Sequence, residues 1–261
     1  MATTERNPAG PEEASPLRCW GKTALDLIAV VLVVMAAKSA IAEPFYVPSG
    51  SMEPTLLIGD ELLATKYNYG YSTASLPSFL DLPISGRVFA ALPKRGDVVV
   101  FRWPGNPAQV WVKRVIGLPG DRIAMRDGQV WINGKPAPLT RDGIGRVESE
   151  NGARSPAHRF IETLPNGRKH LIFKLVPSEP LDNMPTVTVP AGHLFVMGDN
   201  RDNSADSRVP VRDGGVGMLP VNNLVGRVDA IIGSWDLGME SRPMWTWPSG
   251  LRLSRFFTEV H

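Results

Sequence analysis

Three patterns of apolar and polar positions succeed one another along the 261 residues. Residues 1–22 are polar, rich in Pro and Glu and without a period, which predicts a tail with no packed structure. From 23 to 42 the chain turns apolar. The uncharged stretch 27–37 is short, but extended through Asp26 and Lys38 it covers 24–42, roughly 28 Å of helix at ~1.5 Å per residue, against a bilayer core of ~30 Å. Asp26 and Lys38 fall near opposite ends, where charge is least costly and a lysine can reach outward along its alkyl stem. One membrane-spanning helix over 23–42 is therefore predicted. Ala40-Ile41-Ala42 is also a small-x-small site after a short apolar region, the pattern of a cleavable segment. An uncleaved anchor is preferred because the helix can be drawn through to Ala42. Arg18 and Lys22 put the tail on the cytoplasmic side and residues 43–261 outside.

Beyond 42 the period shortens to that of strands. Residues 97–103 (DVVVFRW) and 109–116 (QVWVKRVI) are β-branched runs joined by Pro104-Gly105-Asn106-Pro107, a hairpin composition. Residues 129–132 lie between Asp127-Gly128 and Asn133-Gly134, and Pro165-Asn166-Gly167 separates 160–164 from 171–176. Strands are also predicted at 186–189, 194–197 and 224–235. The fold class is thus mostly β. A β-sheet core of residues 43–123 and 186–240 carries an inserted hairpin-rich lobe, 124–185, and a C-terminal tail, 241–261. The 70–93 loop, with Phe79, Leu80, Leu82 and Phe89, either touches lipid or packs on the core.

Composition narrows the function classes. Net charge is +2 with 28 basic and 26 acidic side chains, so neither a basic run nor a nucleic-acid footprint is present. Cys19, the single cysteine, lies in the tail and excludes an internal disulfide. No metal or other cofactor is expected.

Three segments hold candidate chemistry. Pro48-Ser49-Gly50-Ser51-Met52-Glu53-Pro54-Thr55 is a small-residue turn between apolar flanks, in itself only a loop. Lys113, by the period of two, shares a strand face with Trp111 and Val115, where loss of water disfavours the ammonium and lowers its pKa toward the range of a general base. A lysine at a sheet edge could equally reach water along its stem. The third segment, 198–208 (GDNRDNSADSR), has the acidic residues of a calcium loop. Its grammar fails: Arg201 is third, Ser204 stands where glycine belongs, and Pro210 is twelfth. It reads instead as a turn held by Asp, Asn and Arg contacts.

Taken together, Ser49-Gly50-Ser51-Met52-x-Pro-Thr, Lys113-Arg114-x-x-Gly117-Leu118-Pro119-Gly120-Asp121 and Gly198-Asp199-Asn200-Arg201-Asp202-Asn203-Ser204-x-Asp206-Ser207-Arg208 resemble, in order and flanks, the boxes of bacterial type I signal peptidases. The resemblance implies a mostly β catalytic core in the periplasm, anchored in the cytoplasmic membrane, that removes signal peptides from exported preproteins. By position it implies Ser51 as nucleophile and Lys113 as general base. Ser49 would donate to the oxyanion beside the Ser51 N–H, Ser204 would orient the Lys113 amine, and Asp206 and Arg208 would brace the turn. Phe45, Val47, Leu56 and Val112 match substrate-pocket positions. The chain departs from two-span members in its one anchor and in lacking a cysteine pair in the lobe. A Ser/His/Asp hydrolase would instead need His158, His170, His193 or His261 to meet a serine, and none lies in such a box.

Overall fold

The structure, a computed structural model, describes residues 25–30, 41–75, 86–148, 153–175, 179–239 and 243–260. Residues 1–39 and 40–261 form two separate units. In the first, residues 25–30 are helical, and the rest of the anchor expected over 23–42 lies almost entirely outside the described residues. No helix among the described residues is long and apolar enough to cross a membrane. Ala42, expected to end that helix, opens the first strand instead: it pairs with Thr65, and the Lys66 N–H donates to the Ile41 carbonyl at 2.9 Å.

The second unit is mostly β, as its period of two predicts. Its strands run β1 (Ala42–Tyr46), β2 (Asp60–Thr65), β3 (Val98–Trp103), β4 (Asn106–Gly117), β5 (Arg122–Arg126), β6 (Gln129–Ile132), β7 (Lys135–Pro136), β8 (Leu139–Glu148), β9 (Arg154–Thr163), β10 (Lys169–Lys174), β11 (Met184–Thr188), β12 (His193–Met197), β13 (Leu219–Pro220), β14 (Leu224–Ser234) and β15 (Thr258–Glu259). The large sheet has the order β1-β2-β14-β3-β4-β12-β13, all antiparallel. β3 explains why VVVF carries no polar alternation. Val98 and Val100 enter one core with Val47, Met52, Leu56 and Leu62, while Val99 and Phe101 enter another with Val115 and Leu194. A strand covered on both faces reads as a continuous apolar run.

After β4 the chain leaves this sheet and returns at β12. The excursion makes two small sheets, β11-β5-β6-β7 and β10-β9-β8. Asp127 and Gly128 (φ 48° and 75°), like Asn133 and Gly134 (54° and 80°), take the paired positive φ of the tight hairpin turn that such dipeptides favour. The lobe is wider than residues 124–185, since β5 begins at Arg122 and β11, placed from 186 in the core, pairs with β5. Nor is 241–261 a free tail. β15 pairs with β14, Arg255 Nη2 holds Asp60 Oδ2 at 2.6 Å, and Arg252 Nη1 donates to the Ile58 carbonyl at 2.8 Å. In the 70–93 loop, Phe89 is exposed while Phe79, Leu80 and Leu82 lie outside the described residues.

Candidate active site

β1 delivers the chain to Val47, whose N–H donates to the Asp60 carbonyl at 2.9 Å. A single 3-10 turn, Gly50–Met52, follows. Met52, its last residue, and Leu56 beyond it drop into the core, so Ser51 is left half-buried at the surface of the loop. Lys113, on β4 opposite Val99, donates from Nζ to Ser51 Oγ at 2.7 Å. Ser49 Oγ donates to the same oxygen at 3.4 Å.

The Lys113 side chain sits where the period of two places it and is only 4% exposed. Burial pushes its pKa down to about 8, assisted by Arg208 and opposed by the carboxylates of Asp206 and Asp199. Its Nζ also lies 5.7 Å from the centre of the Trp111 ring, which is stacked flat on Trp103 at 5.0 Å.

The 198–208 turn closes over this pair. Asn200 donates its N–H to the Ser51 carbonyl at 3.1 Å and its Nδ2 to the Gly50 carbonyl at 3.0 Å. Gly198 has to be glycine, because a Cβ there would come within 2.4 Å of the Ser51 carbonyl and 2.3 Å of Ser204 Oγ. Asp206 and Arg208 brace the turn as a two-pronged pair at 2.9 and 2.8 Å. Asp206 also accepts the Gly198 N–H at 3.1 Å, and Arg208 Nη2 donates to the Arg201 carbonyl at 2.6 Å. Burial opposes ionisation of Asp206, but Arg208 and these N–H donors outweigh it and hold its pKa below the usual carboxylate range. Ser204 departs from expectation. Its Oγ is buried beside Gly198 without a hydrogen-bond partner among the described residues, so the contact to Lys113 is not made.

Beside Ser51 and Lys113 opens a cavity of about 410 Å³, lined by Phe45, Val47, Val112, Leu62, Val100 and Trp111 among others. Three of the four expected pocket residues are there. Leu56 is not: it is fully buried in the core with Met52 and Leu62, because the 3-10 turn carries it inward, its N–H donating to the Met52 carbonyl at 3.0 Å.

The profile of the family described as "Signal peptidase, peptidase S26" matches residues 20–235. The chain belongs to that family. Signal peptidase I of Rickettsia typhi is 38% identical over 251 residues, covering 89% of this chain and 90% of that protein. Signal peptidase I of Rickettsia conorii is 37% identical and covers 93% and 92%. A crystal structure of a signal peptidase I from Enterococcus faecalis V583, 26% identical, aligns with 53% of this chain and 97% of its own at a TM-score of 0.30, too low to add to the fold argument. The chain is thus a serine peptidase of the signal peptidase I type.

In this signal peptidase the contact between Ser51 and Lys113 rests on buried charge that sequence reasoning missed. Arg114, next to Lys113 but on the other strand face, forks onto Asp199 with two bonds of 2.8 Å and donates to the Gly96 carbonyl at 2.7 Å. Thr55 Oγ1 donates to Asp199 as well. Behind them Glu162 pairs with Arg201, and His170 Nε2 lies 3.2 Å from Glu162 and 3.9 Å from Asp199. His170 contacts carboxylates, not a serine. A signal was available: Lys113 and Arg114 are adjacent in an apolar strand, so one of them had to be buried on each face.

Proposed function

We propose that this signal peptidase uses Ser51 as nucleophile and Lys113 as general base to remove signal peptides from exported preproteins. The single observation that carries the reading is the 2.7 Å contact between Ser51 Oγ and an almost fully buried Lys113 amine. Neutral Lys113 takes the Ser51 proton as Oγ attacks the scissile carbonyl. The ammonium so formed gives that proton to the leaving amine, and water then cleaves the acyl-enzyme by the same route. The oxyanion receives the Ser51 N–H, at the start of a turn where N–H groups lack intrahelical partners, and the Ser49 hydroxyl, swung from Ser51 Oγ. Each such donor contributes about 3 kcal/mol in comparable sites. Asp206 and Arg208 brace the turn that closes over Ser51 and Lys113.

The base works only when uncharged, so turnover depends on pH with a definite sign. Below about pH 8 Lys113 holds its proton and cannot accept another; above it the amine is free. The kcat/KM for a preprotein is expected to rise with pH through about 8 and to be indifferent to chelators. A profile flat from acid to mildly alkaline pH, or activity lost with chelator, would assign the proton transfer to another group.

The reading places the enzyme in the bacterial cytoplasmic membrane, held by an apolar span that starts at 23 and ends before β1 opens at Ala42, with the β domain on the periplasmic side. What supports this is the apolar length of that span and the Arg18 and Lys22 flank. Expressed protein is expected to retain residues 1–42 and to stay with membranes through alkaline extraction. N-terminal sequencing that begins at Glu43 would overturn the anchor.

A further inference from the structure

The inserted lobe reaches the nucleophile through the 198–208 turn. Phe173, on β10, donates its N–H to the Asp199 carbonyl at 2.9 Å and accepts the Arg201 N–H at 3.0 Å. The Leu175 N–H and Lys174 Nζ hold Asp202 at 2.8 and 3.0 Å. Glu162, on β9, pairs with the Arg201 guanidinium, both side chains being at most 1% exposed. The bond comes from Arg201 Nη2, and Nε and Nη1 have no hydrogen-bond partner among the described residues, so Glu162 is the one side chain hydrogen-bonded to that guanidinium there. Between the two clamped residues, Asp199 and Arg201, stands Asn200, which donates to the carbonyls of both Ser51 and Gly50.

We propose that Glu162, in the lobe and out of contact with substrate, is a positioning residue for the peptidase reaction: through Arg201 it holds Asn200 on the nucleophile loop and so sets where the Ser51 hydroxyl meets Lys113. The inference rests on the Ser51 and Lys113 reading. Burial opposes ionisation of Glu162, but Arg201 and His170 offset it and bring its pKa to about 2, so the clamp stays charged across the working range. The pKa of His170 itself is lowered, by burial first and then by Arg114. A displacement of the nucleophile by an ångström costs on the order of 100-fold in rate without weakening substrate binding.

Neutralising Glu162 has a second consequence, in the charges around Lys113. Arg201 faces Glu162, Asp199 and Asp206, and Lys113 faces Asp206, Asp199 and Arg208. With Glu162 neutral, the Arg201 charge is left to act against the two carboxylates that stabilise the Lys113 ammonium. The base then titrates at lower pH.

The test uses the full-length protein in detergent with a preprotein substrate and titrated active sites. For Glu162→Gln, kcat per titrated site is expected to fall about tenfold or more with KM within about twofold. The acid limb of its pH profile should move to lower pH. Glu162→Gln combined with Arg201→Gln, which leaves neither charge alone, should return the limb to its original place while kcat stays low. Should Glu162→Gln fail to fold, the double variant is read alone: low kcat at unchanged KM supports positioning, and an unaltered kcat refutes it. An unmoved limb with unchanged kcat and only a lower melting temperature, or failure of both variants to fold, assigns Glu162 a purely structural role. Failure of the dyad reading is seen separately, as cleavage by Ser51→Ala.

Discussion

Lys113→Met is expected to lose turnover by roughly 10⁶-fold, the scale on which removing either the nucleophile or its base disables a comparable serine protease. Methionine nearly matches lysine in length and suits the apolar face that Lys113 shares with Val115 and Trp111. It removes a desolvated amine without opening a void, so the melting temperature should hold or rise. Single-turnover cleavage of a preprotein, measured beside a thermal melt, separates the two effects. Activity within tenfold of the parent protein would mean that Lys113 is not the base.

The second large effect concerns what is cut. The cavity beside Ser51 is walled by Val47, Leu62 and Val100, each about 1% exposed and part of the main core, with Phe45 and Val112 packed against them. The cavity of about 410 Å³ would have to take several residues of a bound signal peptide at once, and because walls built from a close-packed core cannot retreat, overfilling it at one residue costs ~1–3 kcal/mol. Displacing the scissile carbonyl from Ser51 adds about a further 100-fold. Cleavage is therefore expected after small-x-small sequences such as Ala-x-Ala, with Phe or Lys at the first or third position before the bond lowering kcat/KM by more than 100-fold. A library of preprotein sites varied at these two positions, assayed in detergent, reads this directly. Efficient cleavage after Phe would contradict the pocket even with the dyad intact.

How much of this could be read in the sequence depended on whether a local rule decided the residue. Asp127-Gly128 and Asn133-Gly134 fixed β6 to the residue, because paired positive φ leaves few alternatives. Lys113 was legible because an amine on an apolar strand face is anomalous. β8 was missed, since its charged and glycine-containing run lacks a clean alternation. Its Gly145 is explained only by a distant partner, the Phe173 ring, which a Cβ would meet at 2.5 Å. Leu56 misled for the opposite reason: its neighbours line the cavity, but one 3-10 turn rotates it into the core. His170 and Glu162 face each other across the hairpin of β9 and β10, a register that Pro165-Asn166-Gly167 hinted at. Their meeting with Asp199 and Arg201 required the tertiary fold.

The dyad is tested most directly by incubating the purified full-length protein and its Ser51→Ala variant with an exported preprotein and determining the N-terminus of any product. The parent protein should release a single product whose new N-terminus follows a small-x-small sequence, and Ser51→Ala should release none. The same product formed by Ser51→Ala, or no cleavage by the parent protein above pH 8 where Lys113 is neutral, would contradict the assignment.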